Sequence, residues 1–488
     1  MSYKESLVLI IDIVTANTLF KNKRYLEAME LCERILEAEP SNIEAAYLSG
    51  KISVVAKNWS AAKYFFEYTL SIDQTFAKSR LALAECFLEQ GEKARAIIEY
   101  ESLLATVPNA FLSRLKIADI LVSLFRIDEA ISHYQLAIET RPTSINCMIN
   151  LSTAFKLRGD FDQAQNWLNN IFVIQPDHPI ANWNQSLLQL IQGDLKKGFI
   201  NYEMRWNLNS YYLPNMRHPK WDGSNPRNKK ILVMSEQGWG DQIQFCRYIN
   251  LLADLGAQVI FACPPRSLHL FASLKDAAQI VERNKPLPEY DFYIPLISLP
   301  RIFKTELNSI PTNIPYLAAE PQRSLFWREK IGTDERLRVG ISWKDDIGSE
   351  LDSEYRNISY SALNLITSIS GIRFIALPLT QPADYVANQN SIEWQNVSRD
   401  SDGVFVDTMA IIDNVDLVIS PDSVYIHLAA AMGKPTWALI NKASEWRWLL
   451  DRVDSPWYPT IKLFRQSELG KWDDVLKEIH NRLKNFAK

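Results

Sequence analysis

The sequence predicts an α-helical solenoid followed by a pair of parallel α/β sheets, and three observations predict it. Small residues recur every 34 positions through residues 7–210. From Lys230 onward, short β-rich apolar runs alternate with helical stretches. Between them, NSYYLPNMRHPKWDGSNPRNKK is rich in Pro, Asn and charge and has the texture of a linker or docking loop.

The repeat is a register held by several columns. Ala28, Ala62, Ala96, Ala130, Ala164 and Gly198 form one, and Ala16, Gly50, Ala84, Ala118, Ser152 and Ser186 a second. Tyr25, Trp59, Ile127, Phe161 and Leu195 form a large-residue column with Lys93 as its exception, and Leu36, Leu70, Leu104, Ile138, Phe172 and Trp206 another. Pro40, Pro108, Pro142 and Pro176 close the units. The chemistry is that of a helix pair: small residues where two helices cross, large ones beside them, and a Pro that cannot continue the second helix. Gly91, Gly159 and Gly193 share one position, the turn between the helices. These columns resemble the tetratricopeptide repeat over six units. Such units stack into a superhelix whose concave groove reads as a platform for a polypeptide partner, with a spacer or dimerisation arm as the alternative. Asn146, Asn150, Asn182 and Asn184 fall on or near the first helices of the last units and are the candidate contacts for an extended acceptor peptide, with a solvated helix face as the alternative.

Composition sets the outer limits. A chain of 488 residues has room for two to four domains, and 47% hydrophobic with 23% charged residues excludes wholesale disorder. A net charge of −4 argues against a nucleic-acid partner. No apolar run approaches about 18 residues, so no membrane span is expected. The N-terminal apolar stretch is interrupted by Asp12 and reads as an amphipathic helix rather than a secretion signal. Five widely spaced Cys fit reduced thiols in a cytoplasmic protein, with no zinc motif.

In the second texture, strands are expected at Ile231–Ser235, Gln258–Cys263, Phe292–Ile294, Arg338–Trp343, Arg373–Leu377, Asp416–Ser420 and Pro435–Ile440. Helices are expected at 241–255, 264–274, 359–369, 422–432 and 472–486. Apolar runs without alternation belong to parallel sheets covered on both faces. The expected organisation is a repeat superhelix at 1–210, a linker at 211–228, and two α/β halves at 229–320 and 321–488. A ligand between such halves binds outside the carboxyl ends of the strands.

Three loops at those ends carry candidate chemistry. SEQGWGDQIQF follows the first strand; Gly238 and Gly240 permit close backbone approach, and Asp241 at the helix start is either an N-cap or a reacting carboxylate. DLVISPDSVYIHLAAAMGKPTW places Asp422, Ser423 and His427 at a strand-to-helix junction, Ser423 and His427 on one helix face and the free N–H groups suited to a diphosphate. For His427 a buried, satisfied core histidine is the alternative. RVGISWKDD ends a strand at Lys344, a point charge for phosphate, and Arg356 follows in the next loop; both could equally be solvated surface charges. Trp446, Trp448, Trp457 and Tyr458 form either a packed aromatic corner or a stacking surface.

EQGWGDQIQFCRY, RVGISW, RNISYSAL, VDTMAIIDNVDLVISPDSVYIHLAAAMGKPTW, EWRWLL and SPWYPTIKLFRQ, in this order, resemble bacterial tetratricopeptide-repeat proteins with a C-terminal glycosyltransferase domain. That domain is similar to the heptosyltransferase-like family of the GT-B class, with two Rossmann-like halves. The resemblance implies inverting, metal-independent transfer from a nucleotide sugar, with no resident cofactor. It implies that Asp241 is the base, that Lys344, Asp422, Ser423 and His427 belong to the donor site, and that Asp407 and Thr408 match a recurring Asp-Thr at a helix start near the cleft. Some such relatives glycosylate flagellin held by the repeats, which makes a protein acceptor the expectation here. The chain departs from the pattern at Pro421-Asp422-Ser423 and at Lys344-Asp345-Asp346, where two carboxylates would repel a diphosphate unless they face away. The competing expectations are a degenerate domain that only binds, and a transferase acting on a saccharide or lipid-linked acceptor.

Overall fold

The computed structural model describes residues 3–208, 216–344, 356–377, 392–393, 400–401 and 403–486, with side chains from residue 12 to 485. The chain forms two compact units, Met1–Pro176 and Asp177–Lys488.

The first unit is five antiparallel helix pairs, from Tyr3–Lys21 with Tyr25–Ala38 to Ile145–Arg158 with Phe161–Ile174. The large-residue column proves to be the first residue of each second helix. The small columns are explained by crossing distance: a Cβ on Gly50 would lie 2.4 Å from Phe66 Cε1. Side chains that outcompete water for free N–H groups start several helices, as when Asn42 accepts from Ala45 N at 3.0 Å and Asp160 from Gln163 N at 3.1 Å. The inter-helix turn has a left-handed residue in every unit, at Lys23, Lys57, Gly91, Phe125, Gly159 and Gly193.

The periodicity continues through a sixth pair, Pro179–Ile191 and Leu195–Tyr202, yet this pair lies in the second unit. Its burial explains why. Phe199 packs edge-on against Phe245, Trp446 and Trp457 at 5.7 to 6.3 Å between ring centroids. Arg205, just beyond the pair and fully buried, forms a two-pronged ion pair with Glu236 at 2.9 Å on both arms. Glu203 accepts from Ser298 at 2.7 Å and pairs with Lys220 at 2.6 Å. Of the expected linker, residues 209–215 lie outside the described residues; 219–221 dock on the α/β part, with Lys220 bridging Tyr293 and Trp221 buried.

Among the described residues, the rest of this unit is built on two parallel sheets. The first has four strands, β1 (Lys230–Met234), β2 (Gln258–Cys263), β3 (Ala278–Glu282) and β4 (Phe292–Pro295), in the order β3-β2-β1-β4. The second has six, β5 (Leu337–Ile341), β6 (Ile372–Ala376), β7 (Ile392–Glu393), β8 (Leu417–Pro421), β9 (Thr436–Ile440) and β10 (Ile461–Arg465), in the order β10-β9-β8-β5-β6-β7. All ladders are parallel. Every expected strand is present within a residue or two. The sequence reading missed β3, β7 and β10, which are short or flanked by charge. The helix expected at 264–274 is instead two short 3-10 turns, Pro265–Ser267 and Ala272–Leu274. Both sheets reverse their strand order beside a central strand, β1/β4 in one and β5/β8 in the other, and such switch points open a crevice at the carboxyl ends.

Candidate active site

A cavity of about 530 Å³ opens at those carboxyl ends. One side is the loop after β1, Gln237 to Asp241; the other is Arg356 after β5, Asp422 to Val424 and His427 after β8, and Glu445 to Arg447 after β9. The sixth repeat supplies Trp183, Leu187 and Tyr202.

The β1 loop is held from two sides. Gln237 takes a left-handed conformation, φ 58°, and its side-chain oxygen accepts from the Tyr202 hydroxyl at 3.0 Å. Gly238 caps the helix Trp239–Phe245, so Asp241 is its third residue and not the cap. Its carboxylate reaches back to accept from Gly238 N at 3.1 Å, satisfying a donor at the helix start. Gly240 is required by contact: a Cβ there would lie 3.0 Å from His427 Cδ2 and 3.2 Å from Nε2.

Asp241 is also ion-paired with Arg447 across the cavity. Arg447 continues to Glu445 at 3.2 Å and to Gln244 Oε1 at 2.7 Å, and Glu445 pairs with Arg356 at 2.9 Å. One chain of alternating charge thus runs from the first sheet's loop to the second sheet's. Burial pushes Asp241 above the usual carboxylate range and Glu445 adds to it, against the pull of Arg447. Burial likewise pushes Asp422 up, with Arg356 opposing.

Ser423 caps the helix Val424–Ala431, accepting from Tyr425 N at 3.3 Å, and shares a 2.8 Å hydrogen bond with the hydroxyl of Ser420. His427 is 5% exposed, and its Nδ1 meets the Tyr458 hydroxyl at 2.9 Å. Burial and the charges of Arg447, Arg247 and Arg356 hold it well below the ordinary imidazole range, so it is neutral near pH 7. It is therefore both a satisfied buried histidine and a cavity residue, which the sequence had offered as alternatives. The positive charge comes from Arg356 and Arg447. Arg447, in EWRWLL, was missed by sequence reasoning, because a charge between two tryptophans carries no loop or strand-end signature. Trp446, Trp448, Trp457 and Tyr458 are all buried and form the packed corner, although Trp446 has an edge on the cavity.

Other candidates stand elsewhere. Lys344 ends a described segment and is not among the cavity residues; Asp345 and Asp346 lie outside the described residues. Asp407 and Thr408 are drawn into a buried clasp: Asp407 accepts from Trp327 Nε1 and from Asp400 N, both at 2.7 Å, and the Thr408 hydroxyl donates to Asp400 at 2.8 Å. That clasp binds a helix start to its loop and leaves neither side chain in the cavity. Asn150 donates to Asp119 at 3.0 Å, Asn146 is exposed, and Asn182 donates to His178 O of its own helix at 3.0 Å. Asn182 and Asn184 flank Trp183, which does reach the cavity. Among the described residues, no group of three or more His, Cys, Asp or Glu is placed to hold a metal ion, and no helix is long and apolar enough to cross a membrane.

Residues 405–478 match the model of glycosyltransferase family 9 (heptosyltransferase), and residues 81–145 match a tetratricopeptide-repeat model. The chain is 24% identical over 348 residues to Protein FlbA of Caulobacter vibrioides, an alignment covering 64% of this chain and 56% of that protein. It thus spans little more than half the length of this relative. Among solved structures, YrrB, a TPR protein with an unusual peptide-binding site, is similar over 36% of this chain and 91% of its own, at 22% identity and a TM-score of 0.33. PilW, a type IV pilus biogenesis factor, covers 42% of this chain and 95% of its own, at 15% identity and a TM-score of 0.35. In order along its length, the chain therefore carries tetratricopeptide repeats and then a glycosyltransferase family 9 domain.

Proposed function

We propose that the second unit is a GT-B-type glycosyltransferase that moves a sugar from a nucleoside-diphosphate donor to a hydroxyl of a protein held by the repeats, flagellin being the candidate named by the sequence resemblance. The observation that carries this reading is the cavity at the carboxyl ends of two parallel sheets, where Asp241 of one sheet's loop meets Arg356, Arg447, Ser423 and His427 of the other's. The diphosphate sits on the arginines and at the N-terminus of the helix Val424–Ala431, whose positive dipole end favours an anion. His427, being neutral, contributes a hydrogen bond rather than charge. Asp422 and Glu445 oppose a diphosphate, so donor binding is an exchange of partners in which the arginines turn from carboxylates to phosphates.

Asp241 then takes the proton of the acceptor hydroxyl. The freed oxygen attacks the anomeric carbon from the face opposite the diphosphate, and the anomeric C–O bond breaks with its electron pair leaving on the nucleotide. The configuration inverts. Fixed arginine charge stabilises the leaving group, a role a divalent metal fills in other transferases. A cytoplasmic site fits this donor and the five buried free cysteines.

Intact-mass comparison of proteins from cells with and without the chain tests this directly. The expected result is one or more proteins carrying a sugar-sized increment only when the chain is present. A modified saccharide or lipid instead would move the acceptor class. Absence of any nucleoside-diphosphate binding or nucleotide-sugar hydrolysis by the purified chain would reduce it to a binding protein.

A further inference from the structure

The sixth helix pair keeps the 34-residue register but does not behave as a repeat among repeats. Trp183 and Leu187 lie four residues apart on its first helix, hence on one face, and both line the transferase cavity. In the register they follow two columns. Tyr47, Leu81, Leu115 and Ile149 precede Trp183, all half-buried and apolar. Lys51, Glu85, Asp119 and Thr153 precede Leu187, all charged or hydroxylic. Only in the sixth unit does this second column become aliphatic. Tyr202 completes the wall, its ring 4.6 Å from Trp183 and its hydroxyl on Gln237 of the β1 loop. The wall is thereby fastened to the loop that carries Asp241.

From this placement, and resting on the transferase reading above, we propose that Trp183, Leu187 and Tyr202 are the acceptor subsite, and that it takes an extended polypeptide whose Ser or Thr hydroxyl is flanked by an apolar side chain. The division of charge supports it. The formal charges of the cavity, Asp241, Arg356, Asp422, Glu445 and Arg447, all come from the strand-end loops, whereas the repeat contributes none. A diphosphate is drawn to Arg356 and Arg447 on the charged side, which leaves the uncharged side for the acceptor. A base that removes a hydroxyl proton requires a hydroxyl on the acceptor, which Ser and Thr carry on short side chains. An indole beside a leucine offers an apolar surface on which the side chain flanking the hydroxyl packs. Repeat helices present polypeptide-binding surfaces, and the sixth pair presents Trp183 and Leu187 to the cavity.

The test uses the full chain with synthetic peptides and a small-molecule cell extract supplying the nucleotide sugars. One peptide set has Ser or Thr flanked by Leu or Phe, the other by Asp or Lys, and mass increments are read. Wild type should modify the apolar-flanked set preferentially. Trp183→Ala should raise the peptide KM tenfold or more, while calorimetric affinity for UDP, GDP, CDP or ADP, whichever binds, stays within twofold. Trp183→Phe should restore most of the loss. If Trp183→Ala melts early, Leu187→Asp makes the same comparison from a half-exposed position. Unchanged peptide KM in both variants overturns the subsite and leaves the transferase standing. Modification of added oligosaccharides and of no peptide overturns it in favour of a glycan. Failure of every nucleoside diphosphate to bind wild type removes the transferase reading itself.

Discussion

Asp241 and Arg447 are 206 residues apart in the chain and form one ion pair across the cavity, joining the loop after β1 to the loop after β9. The candidate base is thus tied to a cation that a diphosphate would claim. Arg447 holds the carboxylate down while burial and Glu445 push it up. On the transferase reading, donor binding that withdraws the guanidinium would leave the upward influences in place and make Asp241 the stronger base.

Asp241→Asn should lower transfer about a hundredfold, the usual scale for loss of a general base. Because the carboxylate must be ionised to act, wild-type kcat/KM should fall as pH drops through the raised pKa, above the ordinary carboxylate range. The Asn variant should lack that acid limb. Steady-state rates from pH 4.5 to 8 decide this; equal turnover in the two would leave Asp241 a helix-start partner of Gly238 only.

Arg447→Ala should weaken nucleoside-diphosphate binding by roughly tenfold or more, the scale of a charged hydrogen bond. Arg447→Lys should recover part of it, since a point charge replaces the charge but not the fork that reaches both Asp241 and Glu445. Titration calorimetry measures both. Undiminished affinity in the Ala variant would assign the phosphates to Arg356 and the helix end alone.

Gly240→Ala brings a methyl within 3.0 Å of His427 Cδ2, so either the β1 loop or the imidazole must move. The fold should survive, with a melting temperature within a few degrees, while transfer falls at least tenfold. Loop and histidine pack against each other in the cavity wall, so a shift of a few tenths of an ångström there displaces Asp241 from its place relative to the donor site.

Arg205 should matter to folding more than to chemistry. Removing it leaves Glu236 buried and unpaired, a loss of about 3–5 kcal/mol. A chain starting at Asp177 retains this pair and should fold, whereas one starting at Asn215 discards it and should aggregate or melt early. Circular dichroism melts of the two truncations make the comparison. Equal stability would mean that the sixth pair is dispensable to the α/β part.

Glu203 gives the same network a pH signature. Burial alone would raise it, but Arg205 and Lys220 outweigh burial and bring it to about 2, from 4.5 for a free side chain. A folded-state value below the unfolded one stabilises above the unfolded value and is lost as pH falls through the folded one. The stability gap between wild type and Glu203→Gln, roughly 3 kcal/mol at neutral pH from a shift of this size, should therefore close between about pH 4.5 and 2. Urea unfolding at several pH values reads it.

The 34-residue columns, the buried parallel strands and the Gly-Trp-Gly-Asp and Pro-Asp-Ser loops were determined by the sequence itself, because local periodicity and turn chemistry reside in neighbouring residues. The left-handed turn was legible where it is Gly91, Gly159 or Gly193. It was not legible at Lys23, Lys57 and Phe125, which take the same conformation although their side chains disfavour it, because helix-pair packing overrides local preference. Only tertiary structure could draw Asp407 and Thr408 into a clasp with Asp400, pair Arg447 with Asp241, or carry Trp183 of a repeat into the cavity of an α/β unit. Each of these depends on which distant segments share a buried volume. A charge or an aromatic ring has no sequence signature for its partner, since its attraction acts through space and not along the chain.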